Sequence, residues 1–187
     1  MIKIGITGSL ASGKSTVAKI FARGSHPLFN ADLQVNKIYK QKIFINKIYK
    51  VFRLKNKKNI KSKIKNIIKK KRSEIKKVEK IIHPLVRKQI KIFIKKNKKK
   101  RLIFFEIPLL FESNLARNYD VIIFVNSSRK KRLKRYLKRG NNKEMFNLLD
   151  KRQLSSKKKI KFSDYVINNN GSLNKLKIKI KSIKNKL

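Results

Sequence analysis

The stretch Ile2-Lys3-Ile4-Gly5-Ile6-Thr7-Gly8-Ser9-Leu10-Ala11-Ser12-Gly13-Lys14-Ser15-Thr16 begins apolar and ends on a glycine-lysine-serine turn. Ile2–Thr7 reads as a short buried strand, and Lys14–Arg23 as a helix with Val17, Ile20 and Phe21 on one face. Between them, Gly8 to Ser15 satisfies the Walker A pattern at each required position. The two glycines let the backbone turn tightly and gather successive N–H groups around a phosphate. The helix that follows points its positive end at the same place. Lys14 is expected to reach β- and γ-phosphates, and the Ser15 hydroxyl to ligate Mg²⁺. A glycine-rich turn that matches by chance is the plain alternative, and the strand before and helix after argue against it.

Outward from this loop, apolar runs alternate with helical patterns. Pro27–Asn30 reads as a second short strand, Leu102–Ile107 and Val121–Val125 as buried parallel strands, and Asp164–Ile167 as a last one. From Ala31 to about Lys99 the chain reads as helices with lysine-rich outer faces. One apolar stripe there is Ile43, Ile48, Val51 and Phe52; another is Ile60, Ile64, Ile67 and Ile68. Pro84 predicts that a helix ends or kinks there. Ser128–Arg139, Lys143–Gln153 and Ser172–Leu187 are read as helices, the last despite alternating Ile and Lys. The alternation argues for an α/β fold with a mostly parallel sheet of five strands.

Composition bounds the function. The chain has 187 residues and no cysteine, which excludes disulfides and thiolate metal sites and fits a reducing compartment. No apolar run approaches the roughly 20 residues that a membrane helix needs, and glycines interrupt the N-terminal apolar stretch where a signal peptide would be continuous. A soluble, cytoplasmic, monomeric protein without a membrane partner is expected. The net charge of +45 suits a nucleic-acid binder, yet lysine, isoleucine and asparagine dominate as AT-rich codons would produce. The basic clusters at Lys69–Arg72, Lys95–Arg101 and Lys157–Lys159 have few aromatic residues among them for base stacking. The charge is therefore read as compositional, with non-specific polyanion affinity as a by-product and no specific nucleic-acid partner.

Only nine acidic residues are available to face a metal or a substrate hydroxyl. Asp32 follows the second strand, where such sheets offer side chains to a ligand. Glu106 closes the apolar run Leu102–Phe105, the setting of a Walker B carboxylate. An N-cap for Asp32 and a strand-end ion pair for Glu106 are the plain alternatives.

Further motifs resemble those of the dephospho-CoA kinases over nearly the whole chain. Ile4–Gly8 and Lys14–Ala18 look like that family's N-terminus, and Asn30-Ala31-Asp32 sits where it has Asp-Ala-Asp. His83-Pro84-Leu85-Val86-Arg87 matches its His-Pro segment, and Glu106-Ile107-Pro108-Leu109-Leu110-Phe111-Glu112 its most distinctive block. Asp164–Asn169 with Gly171-Ser172 matches its last strand and turn, and Arg135 and Arg139 fall in its lid helix. The resemblance implies a three-layer αβα P-loop fold in one kinase domain. Its core would span about 1–32, 100–126 and 162–187, with a helical substrate subdomain at about 33–99 and a lid at about 126–161.

The activity implied is transfer of the ATP γ-phosphate, with Mg²⁺, to the ribose 3′-hydroxyl of dephospho-CoA, the last step of coenzyme A biosynthesis. Asp32, Lys14 and Arg139 would be catalytic. Gly8, Ala11, Ser12, Gly13, Lys14, Ser15, Thr16, Arg135 and Asn169 would bind ATP, and Asp32, His83, Arg87 and Glu106 the acceptor, in a crevice that the lid closes. Departures from the family pattern are Asn30 and Glu106 for aspartates, Asn36 for histidine, Lys61 and Ser62 for an Asp-Arg pair, and Gly140 for an aspartate. Rival readings are another nucleotide or nucleoside kinase of this fold, and a degenerate ATP-binding relative with affinity for nucleic acid.

Overall fold

The computed structural model describes residues 1–24 and 26–187; the side chains of Lys69 and Arg72, in the first basic cluster, lie outside the described set. The chain divides into two compact units, one of residues 1–30 and 97–187, the other of residues 31–96.

The first unit is built on a parallel sheet of order β2-β3-β1-β4-β5. Its strands are β1 (Ile2–Gly8), β2 (Leu28–Asn30), β3 (Leu102–Glu106), β4 (Val121–Asn126) and β5 (Tyr165–Asn168). Ile4 pairs with Phe104 on one side and Val121 on the other, so β1 is central, and it is buried from Ile4 to Gly8. Helices α1 (Lys14–Ala22) and α9 (Leu173–Lys184) cover one face. Val17, Ala18, Phe21, Leu176 and Ile180 bury there with Ile4, Ile6, Phe104, Ile123, Val125 and Ile167. Each fully buried Ile or Phe contributes about 1.5–3 kcal/mol. Leu176, Ile180 and Ile183 recur at helical spacing, while Ile178 of the Ile-Lys alternation is left 69% exposed. The helical period therefore prevails over the strand-like alternation. On the opposite face Phe105 packs on Tyr119 with ring centroids 5.1 Å apart.

Three helices between β4 and β5 complete this unit: α6 (Arg129–Leu137), α7 (Lys143–Lys151) and α8 (Ser156–Lys161). Ser128, Asn142 and Ser155 cap their N-termini. The six-residue α8 is absent from the sequence reading, since a run of lysines shows no apolar period. It buries Lys159 completely, with Nζ 2.6 Å from Glu112 Oε1 though outside hydrogen-bond geometry. Glu112 Oε1 also accepts from the Leu154 N–H at 3.0 Å.

The helical unit contains α2 (Ala31–Ile38), α3 (Lys42–Val51), α4 (Ile60–Lys70) and α5 (Ile75–Lys96). Ile38, Phe44, Ile48, Ile60, Ile64, Val78 and Ile82 form its core. One expectation is corrected here and another narrowed. Helix α3 turns Phe44 and Ile48 inward, leaving Ile43 53% and Val51 48% exposed. Three adjacent apolar residues, Ile43 to Ile45, allow either face, and the larger Phe44 ring takes the core. Of the two outcomes expected at Pro84, an end or a kink, the end is excluded, because α5 runs through it. Apolar packing on both sides, by Val78 and Ile82 before it and Leu85 and Val86 after it, offsets the lost backbone hydrogen bond.

Candidate functional site

β1 stops at Gly8, and residues 9–13 turn before α1 begins. The Ser12 N–H donates to the Ser9 carbonyl at 3.1 Å, closing the turn. Two positions adopt left-handed backbone, Gly13 at φ 94° and Ala11 at φ 57°. A Cβ on Gly13 would collide with Asn169 Nδ2, so glycine is required there twice over. At Gly8 a Cβ would fall 2.6 Å from the Val125 carbonyl oxygen, closer than any side chain tolerates. Ala11 has no exemption, and an L-residue in that region costs about 1–2 kcal/mol. Its burial with Tyr136 and Phe146 works against that cost.

At the start of α1 the loop meets a three-residue cluster. Ser15 Oγ donates to Glu106 Oε1 at 2.5 Å, and Asn30 Nδ2 donates to the other oxygen, Glu106 Oε2. Glu106 is 2% exposed, and the sheet register sets it opposite Asn30. The amide of Asn30 thus satisfies the second carboxylate oxygen of Glu106. The cluster presents oxygen donors, which suit a hard divalent cation shared with phosphates. Among the described residues no group of three or more His, Cys, Asp or Glu could hold a metal by itself. The set therefore fits a cation that arrives with a nucleotide.

Behind the loop, Asn169 Nδ2 donates to the Ser12 carbonyl at 2.8 Å. Arg135 donates to the same carbonyl at 3.1 Å, to Ser127 Oγ at 3.1 Å and to the Asn169 carbonyl at 2.9 Å. Burial first, and then the Arg139 charge, hold the Arg135 guanidinium below its ordinary pKa. Arg139 lies exposed just beyond the end of α6. Ser15 and Thr16 are exposed at the start of α1, and Lys14 is half-buried.

The segment between β4 and β5 grips the front of the loop as well. Arg132, 6% exposed, donates to Asp150 Oδ1 at 2.5 Å and Oδ2 at 3.3 Å, to the Leu10 carbonyl at 3.3 Å and to the Ser127 carbonyl at 3.2 Å. Gln153 Oε1 accepts the Leu10 N–H at 3.0 Å, and Ser9 Oγ lies 3.2 Å from Ser156 Oγ.

The remaining candidates belong to the helical unit. Asp32 is exposed in the first turn of α2, and since α2 begins at Ala31 it is not the N-cap. It makes no hydrogen bond or ion pair with any described residue, and a carboxylate there is favoured by the helix dipole. His83 and Arg87 stand one turn apart on α5, the first half-buried and the second exposed. The unit has its own cleft of about 600 Å³, lined by Asn36, Tyr39, Lys40, Lys57 and Lys61 among others. There Lys61 Nζ donates to Asn36 Oδ1 at 3.2 Å.

The family profile of dephospho-CoA kinase matches residues 2–175. The chain belongs to the dephospho-CoA kinase family. It is accordingly an ATP-dependent kinase, a transferase. A dephospho-CoA kinase from Fusobacterium nucleatum is 36% identical over 178 residues, 92% of each chain. Among solved structures, TT1252 from Thermus thermophilus superposes with a TM-score of 0.83 at 26% identity, covering 100% of this chain and 97% of that one. Dephospho-CoA kinase from Campylobacter jejuni superposes at 0.71, again at 26% identity, over 98% and 96%.

Within this dephospho-CoA kinase family member, sequence reasoning missed Arg132, Asp150, Gln153 and Ser127. One arginine among 54 basic residues has no local signature. Asp150 did carry a signal: it is one of only nine acids in the chain.

Proposed function

We propose that this chain transfers the γ-phosphoryl group of ATP to the 3′-hydroxyl of dephospho-CoA. The observation that carries the reading is the Ser15–Glu106–Asn30 cluster beside a phosphate loop, within a family match over residues 2–175. The loop amides and Lys14 bind the β- and γ-phosphates. Ser15 and Glu106 would hold Mg²⁺, which when bound supplies charge neutralisation at the phosphate oxygens. On this reading Glu106 serves the metal rather than the acceptor. Asp32, exposed and unpaired, accepts the proton of the 3′-hydroxyl as that oxygen bonds to the γ-phosphorus and the bond to the β-phosphate oxygen breaks. Arg139 neutralises charge on the transferring oxygens, while Arg135 and Asn169 keep the loop in shape. His83 and Arg87 act on the acceptor side, and Lys40, Lys57 and Lys61 supply cations suited to its diphosphate. We further propose that the enzyme is a cytoplasmic monomer, and light scattering on a sizing column checks the oligomeric state.

The deciding assay follows ADP formation with ATP, Mg²⁺ and dephospho-CoA against a panel of nucleoside monophosphates. Turnover with dephospho-CoA alone is expected; preference for a monophosphate would move the chain to another kinase specificity. Glu106→Gln is expected to raise the Mg²⁺ needed for half-maximal rate about tenfold or more, read by titrating Mg²⁺ at fixed ATP.

A further inference from the structure

Leu10, within the phosphate loop, has its N–H and its carbonyl both held by side chains from the 126–161 segment. The N–H donates to Gln153 and the carbonyl accepts from Arg132. The next residue is Ala11, the non-glycine loop position at φ 57°. A strained backbone position persists where its surroundings over-determine it, and here both polar ends of the preceding residue are fixed.

Arg132 is itself locked. Asp150 takes its fork with both carboxylate oxygens, Ser127 takes Nε, and the guanidinium carbon lies 5.5 Å from the Phe146 ring centroid. Phe146 is fully buried and belongs to the same apolar cluster as Ala11. The planar fork meeting a carboxylate through two bonds fixes orientation as well as charge, which a lysine does not reproduce. Arg129 reaches the same carboxylate only at 3.7 Å and is 59% exposed, so it is the weaker partner.

We propose that Arg132 and Asp150 are positioning residues for nucleotide binding. The pair holds the backbone at Leu10 and Ala11 in the conformation that presents the loop amides to phosphate, without itself meeting the nucleotide. This rests on the loop being the ATP site and goes beyond it in assigning α6 and α7 a share of nucleotide affinity.

The test measures ATP and ADP affinity by calorimetry, KM for each substrate, kcat and thermal midpoint. It uses Asp150→Asn and Arg132→Lys, each in the native and in the Ala11→Gly background. In the native background each variant is expected to weaken ATP about tenfold while moving the dephospho-CoA KM less than twofold. Where Ala11→Gly has relieved the positive φ, the same variants are expected to cost less than threefold. A purely structural pair would lower the thermal midpoint and leave ATP affinity unchanged, or cost the same in both backgrounds; either result overturns the proposal. If one variant fails to fold, the other carries the comparison. Because the readout is nucleotide affinity, absence of turnover with dephospho-CoA would count against the assigned reaction and not against the brace.

Discussion

Around the phosphate loop, the polar side chains Ser15, Arg132, Arg135 and Asn169 all have named polar partners; in the helical unit, Asp32 and Arg87 stand exposed on their helices. The two regions also absorb their unusual residues differently. Near the loop, Asn30 and the buried Glu106 compensate each other. In the helical unit, Lys61 and Asn36 pair at an open cleft where solvent screens them. A buried polar group left without a partner costs about 1–3 kcal/mol, whereas an exposed one costs little. Substitutions beside the loop must therefore come in matched sets, while the helical unit can accumulate lysine freely provided its isoleucines stay inside.

The steepest test of that contrast is Lys14→Ala. It should lower kcat by about 10³-fold, because in a loose transition state charge neutralisation outweighs the rest. A steady-state assay with less than a tenfold loss would remove the loop from the chemistry. Next comes the helical unit's own interior. Ile48→Ala should cost about 2–5 kcal/mol and Ile43→Ala within about 0.5, read by urea unfolding. A larger loss for Ile43→Ala than for Ile48→Ala would mean the exposed and buried faces of α3 are exchanged. Asp32→Asn should reduce kcat by about 10²-fold, less than the lysine change, and leave ATP affinity within twofold. Near-native turnover with the 3′-hydroxyl still the acceptor would falsify its role as base.

The smallest effect concerns His26, whose pKa is lowered by burial first and then by Lys184 and Lys100. Above the ordinary 6.5 the ring is neutral in folded and unfolded chains alike. As pH falls through 6.5 the unfolded chain takes up the proton first, so stability declines on the acid side. His26→Gln should flatten that decline below about pH 6.5, and an unchanged slope in thermal melts would place it elsewhere.

Much of this was legible beforehand because the relevant forces are local. β3 and β4 are built on the continuous apolar runs Leu102–Phe105 and Val121–Val125, which parallel burial on both faces imposes, and the loop's glycines announce a backbone that other residues cannot follow. α8 was not legible, since its six residues are held by the Ser155 cap and by burial of Lys159 against Glu112. Nor was the face of α3, because three adjacent apolar residues leave the choice to whichever ring fills the core.

The amino-acid order alone determined the phosphate loop, the parallel sheet and the family, since each follows from residue types at short fixed spacings. Only the tertiary structure added Arg132 to the cations already marked among the 54, and showed what Arg135 holds. Arg132 and Arg135 are set apart from their neighbours by long-range geometry, closing contacts to residues 122 and 123 positions away. No spacing along the chain encodes such distances; they exist because the sheet brings the end of β1 beside the segment that follows β4.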